Sequence, residues 1–272
     1  MRSLAAVALI AVTTMMLPAT TGAQQSDHRS RCFAREGMSP EQKLASCTAV
    51  IESGRQTRQG VVGALTNRGN AHLGNRNYDR AIDDYNKAIR LDTKYAVGFN
   101  NRGLAYLRKG RINRSIEDFD EAIRLNPKYA MAFVNRAIAY REKAQWDFDA
   151  YLAVGTYEDL AILDLDKAIR LDRNNAIAFR NRGFINTRMQ RYDRAIRDFD
   201  EAIRLDPRVG SHFSGRAYAL RFVGQYERAI ADYRKALTLQ LDDANREHTE
   251  KALKQLGVDT ERDAAPTAVT KR

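Results

Sequence analysis

Arginine and aspartate recur in register along this chain. Arg68, Arg102, Arg136, Arg182 and Arg216 each stand immediately before a small residue: Gly69, Gly103, Ala137, Gly183 or Ala217. Each arginine interrupts an apolar helical stripe, as Phe179, Arg182, Gly183 and Asn186 show at i, i+3, i+4 and i+7. Asp84, Asp118, Asp164, Asp198 and Asp232 recur with them on a second stripe, of which Ala81, Tyr85 and Ala88 are one copy. The chemistry open to such a set is charge pairing. An unpaired half-buried charge costs several kcal/mol, whereas a guanidinium can hold a carboxylate through two parallel bonds. The ten residues are therefore expected to form a structural ladder of Arg–Asp bridges, within or between units, rather than a ligand site.

Asn67, Asn101, Asn135 and Asn181 precede the arginines, and Gly215 takes that place in the last copy. At 100° per residue the asparagines face away from the helix that the small residues pack against. An amide both donates and accepts, which suits it to a main chain without reading side chains. Asn70, Leu104, Ile138, Phe184 and Tyr218 lie one turn away, with Arg108, Arg141, Arg180, Arg188 and Arg221 nearby.

Other chemistry finds no support. The chain has no G-x-S-x-G, H-E-x-x-H, P-loop or dinucleotide fingerprint. His28, His72, His212 and His248 fall at unrelated places, so neither a catalytic set, a metal nor a cofactor is expected. The net charge of +11 invites nucleic acid or an anionic surface. However, the basic residues alternate with acidic ones, as in "DRAIRDFDEAIRLD", without a basic block or interleaved stacking aromatics. An acidic protein partner or an envelope surface is expected, and no nucleic acid.

The elements that position these residues are read from repetition. "NRGNAHLGNRNYDRAIDDYNKAIRLD" at Asn67 returns as "NRGLAYLRKGRINRSIEDFDEAIRLNP" at Asn101 and "NRGFINTRMQRYDRAIRDFDEAIRLDP" at Asn181. "NRAIAY" at Asn135 and "SGRAYALRFVGQYERAIADYRKALTL" at Ser214 are further copies. The small residues are spaced by 34, 34, 46 and 34 positions. A unit of that length is a pair of helices that must stack on its neighbours to bury its apolar face. Phe99, Gly103, Tyr106, Ser115, Phe119, Ala122 and Pro127 carry the pattern in one copy, Phe179, Gly183, Asn186, Ala195, Phe199, Ala202 and Pro207 in another.

On these residues the sequence resembles the tetratricopeptide repeat (TPR) family, departing from it in having arginine where leucine is usual. The resemblance implies an all-α fold, a right-handed alpha-alpha superhelix or TPR solenoid. It implies five units at 62–95, 96–129, 130–175 with an insertion, 176–209 and 210–241. It also implies a concave groove lined by the asparagines, with Asn67, Asn70, Asn101, Asn135, Arg180, Asn181 and Arg188 as the peptide-binding set. The expected partner is a protein or an extended peptide, acidic or with apolar anchors, and the expected chain is not an enzyme.

The ends and the long spacing complete the reading. Met1-Arg2, the apolar run from Leu4 to Val12 and "TTGA" read as a signal peptide over residues 1–23, cut after Ala23. The apolar stretch is shorter than a membrane span needs, so no stable span is expected after processing. The chain is thus expected in the periplasm or secreted, where Cys32 and Cys47 would form a disulfide; two free thiols are the alternative for a cytosolic chain. Residues 24–61 read as an N-terminal cap with a half-repeat, 242–257 as a capping helix and 258–272 as a disordered tail. The insertion of 12 residues falls within 141–160, with Trp146, Phe148, Tyr151 and Tyr157. It is expected to lengthen a hairpin turning near Gly155. A self-associating envelope component, or a regulatory subunit, using this hairpin is the alternative function, so an oligomer remains possible.

Overall fold

The computed structural model describes residues 22–34, 37–146 and 156–258, which contain 13 helices. In chain order they are α1 (Gly22–Phe33), α2 (Pro40–Glu52), α3 (Arg58–Gly74), α4 (Tyr78–Leu91), α5 (Ala96–Arg108), α6 (Ile112–Leu125) and α7 (Ala130–Trp146). Then follow α8 (Thr156–Leu171), α9 (Ala176–Arg188), α10 (Tyr192–Leu205), α11 (Gly210–Phe222), α12 (Tyr226–Leu237) and α13 (Asp243–Gln255). The leader expected over the first residues, the turn expected near Gly155 and the tail from residue 259 onward lie outside the described residues.

Helix boundaries follow local chemistry. Ser39 caps α2 reciprocally with Gln42, and Pro40 supplies the first turn, where its missing N–H is no loss. Asp242 caps α13 through the Asn245 N–H. The first helix of four units ends in a left-handed residue, at Arg76, Gly110, Gln190 and Gly224. There the next residue's N–H bonds back to the helix, as Asn77 to His72 and Arg111 to Tyr106, closing the same turn each time. The unit-to-unit turn is also repeated. The side chains of Asp92, Asn126, Asp172 and Asp206 accept the N–H two residues on.

The core runs as a column between paired helices. Tyr85, Phe119, Leu165, Phe199 and Tyr233 occupy one register position, and all are wholly buried. Each side chain of this size contributes about 1.5–3 kcal/mol on burial. Glycine lets the partner helix close on the ring: a Cβ at Gly103 would stand 2.8 Å from Phe119 and one at Gly69 2.6 Å from Tyr85. First helices of successive units touch each other (α3, α5, α7, α9, α11, α13), and second helices pack on the first helices at either side. The first helices therefore form the inner wall of the superhelix.

The N-terminal cap holds one more helix than the half-repeat anticipated. α1 packs on α2 and α3 and is tied down by the Cys32–Cys47 disulfide, with Cα atoms 4.7 Å apart. The cut expected after Ala23 falls inside α1. In the third unit, α7 runs past Glu142, the equivalent of the end of α5, as far as Trp146. Tyr157 of α8 stacks on Tyr140 of α7 at 6.1 Å, with Lys143 over its ring. The extended hairpin thus packs on itself at its base.

Gly103→Ala places a methyl into the Phe119 ring and is expected to cost about 1–3 kcal/mol by overpacking, measured by urea unfolding. Gly110→Ala has open space around its Cβ, so its cost comes from the left-handed backbone alone and stays near about 1 kcal/mol.

Candidate functional site

The arginine stripe is resolved by a three-way contact. Arg68, Arg102, Arg136, Arg182 and Arg216 hold Asp84, Asp118, Asp164, Asp198 and Asp232 of their own unit at 2.6–2.7 Å. Nε and Nη2 both donate to the carboxylate. Nη1 then donates to the second helix of the preceding unit: to Thr48, Asn86, Asp120, Asp166 or Asp200. Four of the guanidiniums also lie over the ring three residues earlier: Phe99, Phe133, Phe179 or Phe213, at 5.3–5.8 Å. A lysine could not make this set of contacts, because it lacks the planar fork.

The electrostatics follow from this geometry. The bonded carboxylate raises Arg68, Arg102 and Arg216 above the ordinary guanidinium value. In Arg136 and Arg182 burial pulls down, and their two aspartates outweigh it. Burial also pushes Asp118, Asp164 and Asp198 up against the pull of their arginines. Two N–H groups directed at both oxygens are the geometry of an ionised pair, and we assign it as such. Asn186 adds a third donor to Asp198 at 2.8 Å.

Two of the asparagines do not stand open on the inner wall as expected, while Asn67 and Asn101 are half-buried and Asn70 is exposed. Asn135 and Asn181 are only 7% and 3% exposed. Asn135 donates to Asn100, Asn101 to Asn70, and Asn67 to the Cys32 carbonyl. Asn181 accepts from Arg141 and donates to the Ile177 carbonyl. The physical reason is the close packing of successive first helices, which turns this register position into their seam. The amides brace the wall, and burial leaves Asn135 and Asn181 little capacity for a ligand backbone. Asn70, also placed in the binding set, accepts from the Tyr85 hydroxyl as well. Gly215 replaces the amide where Phe199 of the preceding unit leaves no room, since a Cβ there would lie 2.5 Å from the ring.

A cavity of about 750 Å³ opens on the inner wall of the last three units. Arg141, Phe184, Arg188, Tyr218, Phe222 and His248 are among its lining residues. Tyr192 stacks on Phe222 at 4.9 Å, Phe222 touches Tyr218 at 4.9 Å, and Tyr218 meets His248 at 5.9 Å. Phe222 stays 47% exposed. Arg188, one of the expected binding residues, pairs with Glu158 and bonds the Arg141 carbonyl. Sequence reasoning places Phe184 and Tyr218 on this face, but not Tyr192 and Phe222, which complete the shelf once α9 to α11 are stacked. Among the described residues no cluster of His, Cys, Asp or Glu could hold a metal, and no helix is long and apolar enough to cross a membrane.

Tetratricopeptide repeat models match residues 62–95 and 96–129, 176–209, and 215–243. The chain belongs to the tetratricopeptide repeat family. The one repeat unit without a match is the third, whose pattern the insertion splits although its helices pack as the others do. A thermophilic TPR protein of Thermus thermophilus, TTC0263, superposes with a TM-score of 0.62 at 21% identity, over 73% of this chain and 100% of that one. A TPR protein of Parabacteroides merdae superposes with 0.61 at 19% identity, over 88% and 93%. YrrB, described as a TPR protein with an unusual peptide-binding site, gives 0.51 at 21% identity, over 76% and 99%. At these identities the likeness concerns the fold. No curated protein matches the chain.

Removing one partner of a ladder pair strands the other. Asp198→Ala is expected to cost about 3–5 kcal/mol, and Arg182→Leu with Asp198→Leu together clearly less, by chemical denaturation.

Proposed function

We propose that this TPR chain is a non-catalytic protein-binding scaffold of the cell envelope, and that its inner wall grips an extended segment of a partner. The observation that carries the reading is the cavity of about 750 Å³ with its half-exposed aromatic shelf, set in a frame whose ladder groups are all satisfied internally. A rigid wall with an open, partly apolar recess gives a partner a prepared surface to dock on, and aromatic side chains contribute most where they are centred in such a recess. Every arginine of the ladder is spent on the fold, so the gripping groups are Arg141, Phe184, Arg188, Tyr218 and Phe222. The likeness in fold to YrrB fits peptide binding. The apolar run near Met1 and the Cys32–Cys47 bond fit an exported chain.

A photo-reactive amino acid replaces Phe222 on the inner wall or Arg204 on the outer helix α10, in cells that make the protein. Crosslinked protein products are expected from position 222 and not from position 204. Equal products from both positions, or none from 222, contradict groove binding.

A further inference from the structure

Arg180 is a half-buried arginine that the frame leaves without a counter-charge among the described residues; Arg221 is the other on this part of the wall, but it has Gln255 and two rings for partners. Its register position holds Thr66, Asn100, Val134 and Ser214 in the other units, all buried and neutral. Among the described residues no hydrogen bond or carboxylate engages its guanidinium. Burial, and then the charge of Arg141, hold it below the ordinary arginine value, the reverse of the ladder arginines. Its charge also helps depress the buried His212, after burial itself. Around the neighbouring cavity, Arg141 pairs with Glu142 and Arg188 with Glu158. Arg221 bonds Gln255 and lies over the rings of Tyr218 and Phe222 at 5.7 and 5.4 Å. The acids on this wall are therefore engaged, while Arg180 and Arg221 have no carboxylate.

We infer that the recess between α7, α9 and α11 recognises an internal acidic side chain adjoining an aromatic one in an extended peptide. Arg180 adjoins Asn181, which bonds the cavity-lining Arg141; the carboxylate goes to Arg180 and Arg141, and the ring lies on the Tyr218–Phe222 shelf. The inference deepens the groove reading and rests on it. Charge complementarity supplies the argument: a carboxylate brought between two like-charged guanidiniums relieves their repulsion as well as bonding them, and its burial against the shelf strengthens the attraction. An apolar anchor alone would leave Arg180 buried and unpaired. A nucleic acid fits less well, because Glu142 and Glu158 stand beside the cations and repel a polyphosphate backbone.

The test is selection of random peptides, displayed with both ends joined to a carrier so that no free terminal carboxylate is present, on the full-length chain. The expected winners carry Asp or Glu beside Phe, Tyr or Trp. Arg180→Met should weaken the best of them about tenfold or more and remove the acid preference, while Phe222→Ser removes the aromatic preference. Arg180→Met should also melt no lower than the parent, since it removes an uncompensated cation. Arg141→Gln, at a more accessible cation, gives the same reading if Arg180→Met fails to fold. Peptides selected without an acid, or an acid preference that survives both Arg180→Met and Arg141→Gln, overturn the inference and leave groove binding standing. Failure to select any peptide overturns both.

Discussion

The structure depends on one constraint: the five guanidiniums set in its apolar stripes must have their donors occupied. Five times the chain meets that demand in the same way. An aspartate on the second helix takes two donors, and a polar atom of the preceding unit takes the third. Where the first helix supplies a phenylalanine three residues earlier, its ring covers the plane. The arginine thereby specifies both the crossing of the two helices within a unit and the offset of one unit against the last. Hydrophobic contact alone is non-directional and would tolerate sliding; a fork with fixed donor directions does not. The series also ends coherently. After Arg216 the next register position for the cation holds Glu250, and the acceptor position holds Arg234, so the signs exchange at the last helix.

A frame secured in this way leaves the inner wall free of structural obligation only in places. The amides between α1, α3, α5 and α7 are spent on one another and on backbone carbonyls. Toward α9 and α11 the wall changes character. The seam residues become Arg180 and Ser214, the amide gives way to Gly215, and aromatic rings replace polar side chains at the surface. The insertion in the third unit adds to this asymmetry, because Glu158 of α8, just beyond it, reaches Arg188 of α9. The open, aromatic part of the inner wall thus lies in the C-terminal half of the superhelix, whereas the N-terminal half is closed by its disulfide.

Much of this was legible in the sequence for a physical reason. Repeat proteins display each interaction several times, so a charge in an apolar stripe shows itself as a rule rather than an accident. The pairing of Arg182 with Asp198, the small residues facing Phe119 and the capping helix after Asp242 all follow from periodicity. Other features depend on how units are stacked, which a single helical period does not contain. The third acceptor of each arginine varies in type, from Thr48 to Asn86 to Asp120, because any accepting oxygen suffices; no pattern therefore marks it. The burial of Asn135 and Asn181 likewise arises from contact between first helices of successive units. A helical wheel drawn for one unit turns those positions toward solvent. Arg76 and Gln190 adopt the left-handed conformation that the other two turns give to glycine, held there by the back-bonded N–H that follows them.

The central claim is that each arginine couples two units, and hydrogen exchange on an Arg136→Met variant tests it most directly. Arg136 bonds Asp164 of α8 in its own unit and Asp120 of α6 in the preceding one. The account predicts that backbone amides of α6 and α8 lose protection together, while α2 and α12 keep theirs. Loss confined to α7 and α8, with α6 as protected as in the parent, would contradict it.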